Sequence, residues 1–170
     1  HLFSSEFMHQ DASYARYFAY LNMFISAMLV LVLADNLLLL YLGWEGVGVC
    51  SYLLVGFWYT DRANGRAARK AFIVTRSGDT AMALGLILLF TQLGTLDIQS
   101  IVGAAHVKWQ VGYSLPTLDC LHLLAEVPGK SPQRPLHTLL HHAMPGATPV
   151  TALIHDAAMA PPGACLFPLP

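Results

Sequence analysis

Charge is scarce in this chain. Asp, Glu, Lys and Arg make up 11% of its 170 residues, against about 25% in an average soluble domain. That shortage excludes an ordinary water-facing surface, and the 55% apolar content points to a membrane protein. The formal net charge is −1. No basic domain is present to neutralise phosphates, so a nucleic-acid partner is excluded. Cysteine is also sparse. Cys50, Cys120 and Cys165 have neither an even count nor metal-ligand spacing. No GxGxxG and no phosphate-binding loop occurs, which argues against direct nucleotide binding. His137 and His141 stand four residues apart, but Thr-Leu-Leu fills 138–140 and HExxH is missing. A metal site is therefore not expected, and neither is a cofactor held by this chain. The sequence opens on His1 without a signal peptide, and reads as an internal fragment of a longer protein.

What is present is led by residues 36–60, NLLLLYLGWEGVGVCSYLLVGFWYT, with Glu45 as their single charge. About 20 mostly apolar residues suffice to cross a bilayer as a helix. Nine residues of rise place Glu45 roughly 14 Å deep, near the midplane. A carboxylate there costs about 2.5–3.5 kcal/mol on insertion scales, so it should face a bundle interior and have a partner. Gly43, Gly46 and Gly48 crowd around it. They suit either close helix packing or a close functional contact. Cys50, in the same helix, reads as a small buried hydrophobe.

The remaining segments follow from charge and hydropathy. Residues 1–16 read as a loop, and 17–34 as a first span, joined so tightly to 36–60 that an antiparallel hairpin is required. Residues 61–70 hold Arg62, Arg66, Arg69 and Lys70 against Asp61. Such a short basic loop predicts the cytoplasmic side. Residues 71–93 form a third span, with Arg76 and Asp79 three apart on one face. Arg76 can snorkel toward the interface. Asp79 is deeper and too short to do so, which marks it as inward-facing and functional. Residues 94–110 read as an external loop. Residues 111–145 form a broken helix, since the five prolines Pro128, Pro132, Pro135, Pro145 and Pro149 forbid a continuous one through the stretch that holds them. Lys130 lies within the break, where exposed backbone and a cavity can surround a charge. Residues 148–170 start a further span, and His155 within it suits either a core position or a proton relay. The fold class is an all-α membrane protein, a transmembrane helix bundle with a broken helix.

The runs ARYFAYLNMFISAMLVLVLADNLLLLYLGWEGVGVCSYLLVGFW, NGRAARKAFIVTRSGDTAMALGL and LGTLDIQ resemble the antiporter-like subunit L of proton-pumping NADH:quinone oxidoreductases. The counterpart in mitochondrial respiratory complex I is subunit 5. The later GKS at 129–131, TPV at 148–150 and ALIH at 152–155 match in order. The resemblance implies a fragment covering the fourth to eighth transmembrane helices. It implies a proton path through Glu45, its ion-pair partner Lys130, and His155, with Arg76 and Asp79 as the charged pair of the sixth helix. It implies partners in the other membrane subunits and the lipid bilayer, and a bacterial inner membrane location. NADH, flavin, iron–sulfur clusters and quinone would belong to partner subunits.

The sequence also departs from that pattern. Glu126, Arg134 and Asp156, with Pro128, Pro132, Pro161 and Pro162, enter segments that should lie in hydrocarbon. Each proline costs about 3 kcal/mol in a helix interior. Two other readings stay open: the large subunit of a multisubunit Na⁺/H⁺ antiporter, and an inactive truncated remnant.

Overall fold

A computed structural model describes residues 1–108, 117–118, 121–122 and 147–153. Among these residues the chain is helical: α1 (Leu2–Phe7), α2 (Tyr14–Val32), α3 (Leu37–Val55), α4 (Arg62–Leu93), α5 (Ile98–Lys108) and α6 (Thr148–Leu153). Helices α2, α3 and α4 are each long and apolar enough to cross a membrane.

Helix α3 is apolar around its whole circumference apart from Glu45 and Ser51, the composition of a span and not of a surface helix. Asn36 starts it, with Oδ1 accepting from the Leu39 N–H at 2.8 Å. That cap satisfies one of the otherwise orphaned amides of the first turn. The α2–α3 hairpin closes through small residues. A Cβ added to Gly43 would come within 2.6 Å of the Leu31 backbone nitrogen, and one at Gly46 within 2.9 Å of the Ala27 Cβ. The two backbones approach to a distance that larger residues would forbid.

Helix α4 runs unbroken for 32 residues, about 48 Å at 1.5 Å per residue. This differs from the loop expected at 61–70. Asp61 caps the helix by accepting from the Ala63 N–H at 2.8 Å, and Ala, Arg and Lys, all strong helix formers, outnumber Asn64 and Gly65 in its first turns. The break in composition falls inside one continuous helix and does not mark where that helix begins. Gly94, with φ of 73°, ends α4 in the left-handed conformation that glycine adopts without strain.

The segments read as loops also contain helix. In 1–16, α1 docks through Met8 and Ser4, which are buried, and α2 begins at Tyr14. Six residues are too few to display a helical period. In 94–110, α5 follows Asp97, whose Oδ2 accepts from the Ser100 N–H at 2.8 Å. The α2–α3 turn is tied to the α4–α5 turn by Leu37 N–H to Leu96 O at 2.8 Å and Ile98 N–H to Asp35 O at 3.4 Å. The broken helix expected over 111–145 and most of the span begun at 148 lie outside the described residues.

Two buried clusters flank the middle of the bundle. Tyr17, Phe24, Cys50, Leu54 and Phe57 form one. Leu37, Trp44, Met82, Leu86 and Leu89 form the other. Cys50 is buried in the first, as its apolar neighbourhood predicts.

Candidate functional site

The site is built where α3 and α4 cross at mid-length. Glu45 is the ninth residue of the 19-residue α3. Arg76 and Asp79 occupy one face of α4 near its middle. Their side chains meet: the Arg76 Nη1 pairs with the Glu45 Oε2, and Nη2 lies 3.0 Å from the Asp79 Oδ2. Arg76 Nη2 also reaches the Glu45 carbonyl oxygen at 3.4 Å. One guanidinium thus bridges two carboxylates from different helices, which its rigid fork of donors suits better than an ammonium would.

Burial differs across the cluster. Asp79 is 1% exposed, while the Glu45 and Arg76 side chains are 24% and 27% exposed. The second Asp79 oxygen, Oδ1, accepts from the Trp44 indole N–H at 3.0 Å. A fully buried carboxylate survives only when paired and hydrogen-bonded, and Asp79 has both kinds of partner. The Arg76 Nε is buried with no hydrogen-bond partner among the described residues. Its guanidinium lies over the Phe72 ring, 4.7 Å from the centroid.

Gly48 gives the Arg76 guanidinium its space at the crossing. A Cβ there would stand 2.6 Å from the Arg76 Nη2. The three glycines of α3 therefore divide: Gly43 and Gly46 serve helix packing, and Gly48 leaves room for the charge.

Of the residues singled out in the sequence, Glu45, Arg76 and Asp79 come together. The sequence-level view had Arg76 and Asp79 offsetting each other and Glu45 served from elsewhere. In the structure Arg76 serves both acids. Lys130 and His155 lie outside the described residues, and so does any Glu45–Lys130 pair. Trp44 was missed, although an indole beside a buried acid is a signal, because its N–H needs an acceptor inside a dry bundle. Among the described residues no group of three His, Cys, Asp or Glu could hold a metal ion.

Three membrane-length helices with an acid–guanidinium–acid cluster at their mid-length define a multi-span membrane helix bundle with a charge cluster between α3 and α4. A profile for the "NADH:quinone oxidoreductase/Mrp antiporter, TM" family matches residues 34–167. The chain belongs to this family. It is 57% identical to NADH-quinone oxidoreductase subunit L of Pseudomonas aeruginosa over 98% of its length. It is 52% identical to subunit L of Escherichia coli, again over 98%, and 44% identical to that of Mycobacterium tuberculosis. It spans about a quarter of these relatives, 27% in the first two. The structure is similar to a chain of the Mrp complex from Dietzia sp. DQ12-45-1b, with a TM-score of 0.78 and 28% identity, covering 86% of this chain and 16% of that one. The match to the family continues through 116–167, where the extra prolines and charges lie.

Proposed function

We propose that this chain is a segment of the proton-translocating, antiporter-like membrane subunit of an NADH:quinone oxidoreductase, a translocase subunit with no redox centre of its own. The observation that carries the proposal is the Glu45–Arg76–Asp79 cluster, since ionisable residues within a membrane bundle mark ion paths. The 57% and 52% identities to subunit L support the respiratory assignment. NADH, flavin, iron–sulfur clusters and quinone belong to partner subunits, and the other membrane subunits are its neighbours. The location is a bacterial inner membrane, with residues 61–70 on the cytoplasmic side.

The mechanism is electrostatic. One cation is shared by two acids, so movement of the Arg76 guanidinium toward either carboxylate changes the field at the other. Glu45 is the more exposed acid and the one that exchanges protons. Asp79, held by Trp44 and Arg76, is the fixed counter-charge. Lys130 and His155 continue the path by resemblance: proton occupancy of Lys130 depends on whether Glu45 is close and ionised. Quinone reduction in partner subunits supplies the driving force.

The test is Glu45→Gln in the full-length subunit within its complex. Proton pumping should fall more than assembly does. Pumping at the parent rate would show that the cluster is structural. The likeness to the Mrp complex chain favours a second reading, the large subunit of a multisubunit Na⁺/H⁺ antiporter. Co-purified partners that oxidise NADH support the first reading, and partners that do not support the second.

A further inference from the structure

A pocket of about 200 Å³ lies at the end of the bundle where α2 begins, α3 ends and α4 begins. Arg16, Tyr20, Tyr52, Phe57, Tyr59 and Gly65 are among its lining residues. It is smaller than the roughly 300–1,000 Å³ that admits a whole drug-sized ligand, so it suits a headgroup better than a complete small molecule.

The charge in this pocket is incompletely used. Arg16 stacks on Phe57 and Tyr59, with its guanidinium carbon 5.0 and 5.1 Å from the ring centroids. Its Nε is buried and has no hydrogen-bond partner among the described residues. The acid closest in influence is Asp11, but its carboxylate accepts from the Trp58 indole N–H at 3.0 Å and the Ser13 N–H at 2.7 Å. Arg16 makes no ion pair within 4.0 Å among the described residues. A stacked, half-buried guanidinium with an unpaired Nε–H can serve as an anion receptor.

The surroundings select the anion. The pocket lies at the ends of three spans, where tyrosines take the level of the lipid headgroups. Arg62, Arg66, Arg69 and Lys70 stand exposed on the adjacent turns of α4. Basic pockets between helices at this level bind anionic headgroups.

We propose that this pocket binds the phosphodiester headgroup of an anionic phospholipid, with Arg16 as its phosphate receptor and the tyrosine-lined walls holding the glycerol end.

The experiment uses the full-length subunit in its complex, delipidated and returned to nanodiscs of phosphatidylcholine, with or without phosphatidylglycerol. Native mass spectrometry reads the retained lipid. The parent should retain phosphatidylglycerol over phosphatidylcholine, and Arg16→Gln should lower that retention about fivefold. Gly65→Leu should do the same with Arg16 intact, because Gly65 lines the pocket and a Cβ there meets nothing within 4 Å, which leaves a larger side chain room to occupy it. This second variant decides the matter where Arg16→Gln fails to assemble. Unchanged phosphatidylglycerol retention in the assembled variants overturns the proposal, as does equal retention of phosphatidylcholine by the parent. Inorganic phosphate that displaces the lipid and stabilises the complex equally well overturns the lipid assignment in favour of a soluble anion.

Discussion

The Trp44 indole N–H donates to the Asp79 carboxylate at 3.0 Å, across 35 residues of sequence and from the position next to Glu45. The two acids of the cluster are therefore coupled twice, through Arg76 and through consecutive residues of α3. Trp44→Phe removes the donor and keeps the ring. A hydrogen bond to a charged group is worth about 1.5–3 kcal/mol, and thermal unfolding of the assembled subunit should register a loss of that order. Combined with Asp79→Asn, the two effects should fall well short of additive in a double-mutant cycle.

The glycines of α3 should separate by phenotype. Gly43→Ala drives a Cβ into the Leu31 backbone, and overpacking of this kind costs about 1–3 kcal/mol. Its expected result is reduced assembly on a blot of the membrane fraction. Gly48→Ala meets the end of a flexible side chain, the Arg76 guanidinium. It should leave assembly near parent level and lower proton pumping instead.

Arg76→Leu leaves two carboxylates without their shared cation, and breaking a buried pair costs about 3–5 kcal/mol. The subunit should fail to accumulate. Adding Glu45→Gln and Asp79→Asn removes the uncompensated charge and should restore assembly. Pumping should stay absent in the triple variant. Restored pumping would show that the three residues serve only to hold α3 against α4.

Outside the spans, Asp11 gives a pH signature. The hydrogen bond from the Trp58 indole is the main cause that holds its carboxyl below the ordinary value of 3.8, with the Ser13 N–H next and Arg16 adding to it. A carboxyl depressed in the folded state adds stability that is fully present above the unfolded value. That stability is lost as pH falls through the folded value. Stability at the α2 end should thus be flat at neutral pH and decline below about pH 4. Trp58→Phe should flatten the decline, read by hydrogen exchange at residues 11–17.

The inward placement of the two acids was legible in the sequence for a simple reason. Glu45 and Asp79 are charges inside apolar runs, and the cost of burying them is visible without coordinates. The bridging role of Arg76 was not visible, because it depends on the rotational phase of α4 against α3, and no local pattern encodes that phase. Trp44 was hidden by its own hydrophobicity, since an indole in an apolar helix reads first as core. The start of α4 is hidden because a run of charge reads as the end of a span. Arg and Lys end a membrane span yet favour a helix. Caps at Asp61 and Asp97 carried the signal that would have extended α4 and revealed α5.

The two backbone hydrogen bonds between the α2–α3 turn and the α4–α5 turn act as a hinge pin. Sliding of α3 past α4 would break both bonds, whereas a swing about them would not. Glu45 lies about 12 Å along α3 from Leu37, and Val55 about 27 Å. A displacement at the basic end of the bundle therefore reaches the Glu45–Arg76 contact at a little under half its size. The bundle is a lever whose short arm ends on an ion pair, so a shift of an ångström or two where α4 enters water is geared down to the scale on which a salt bridge opens or closes.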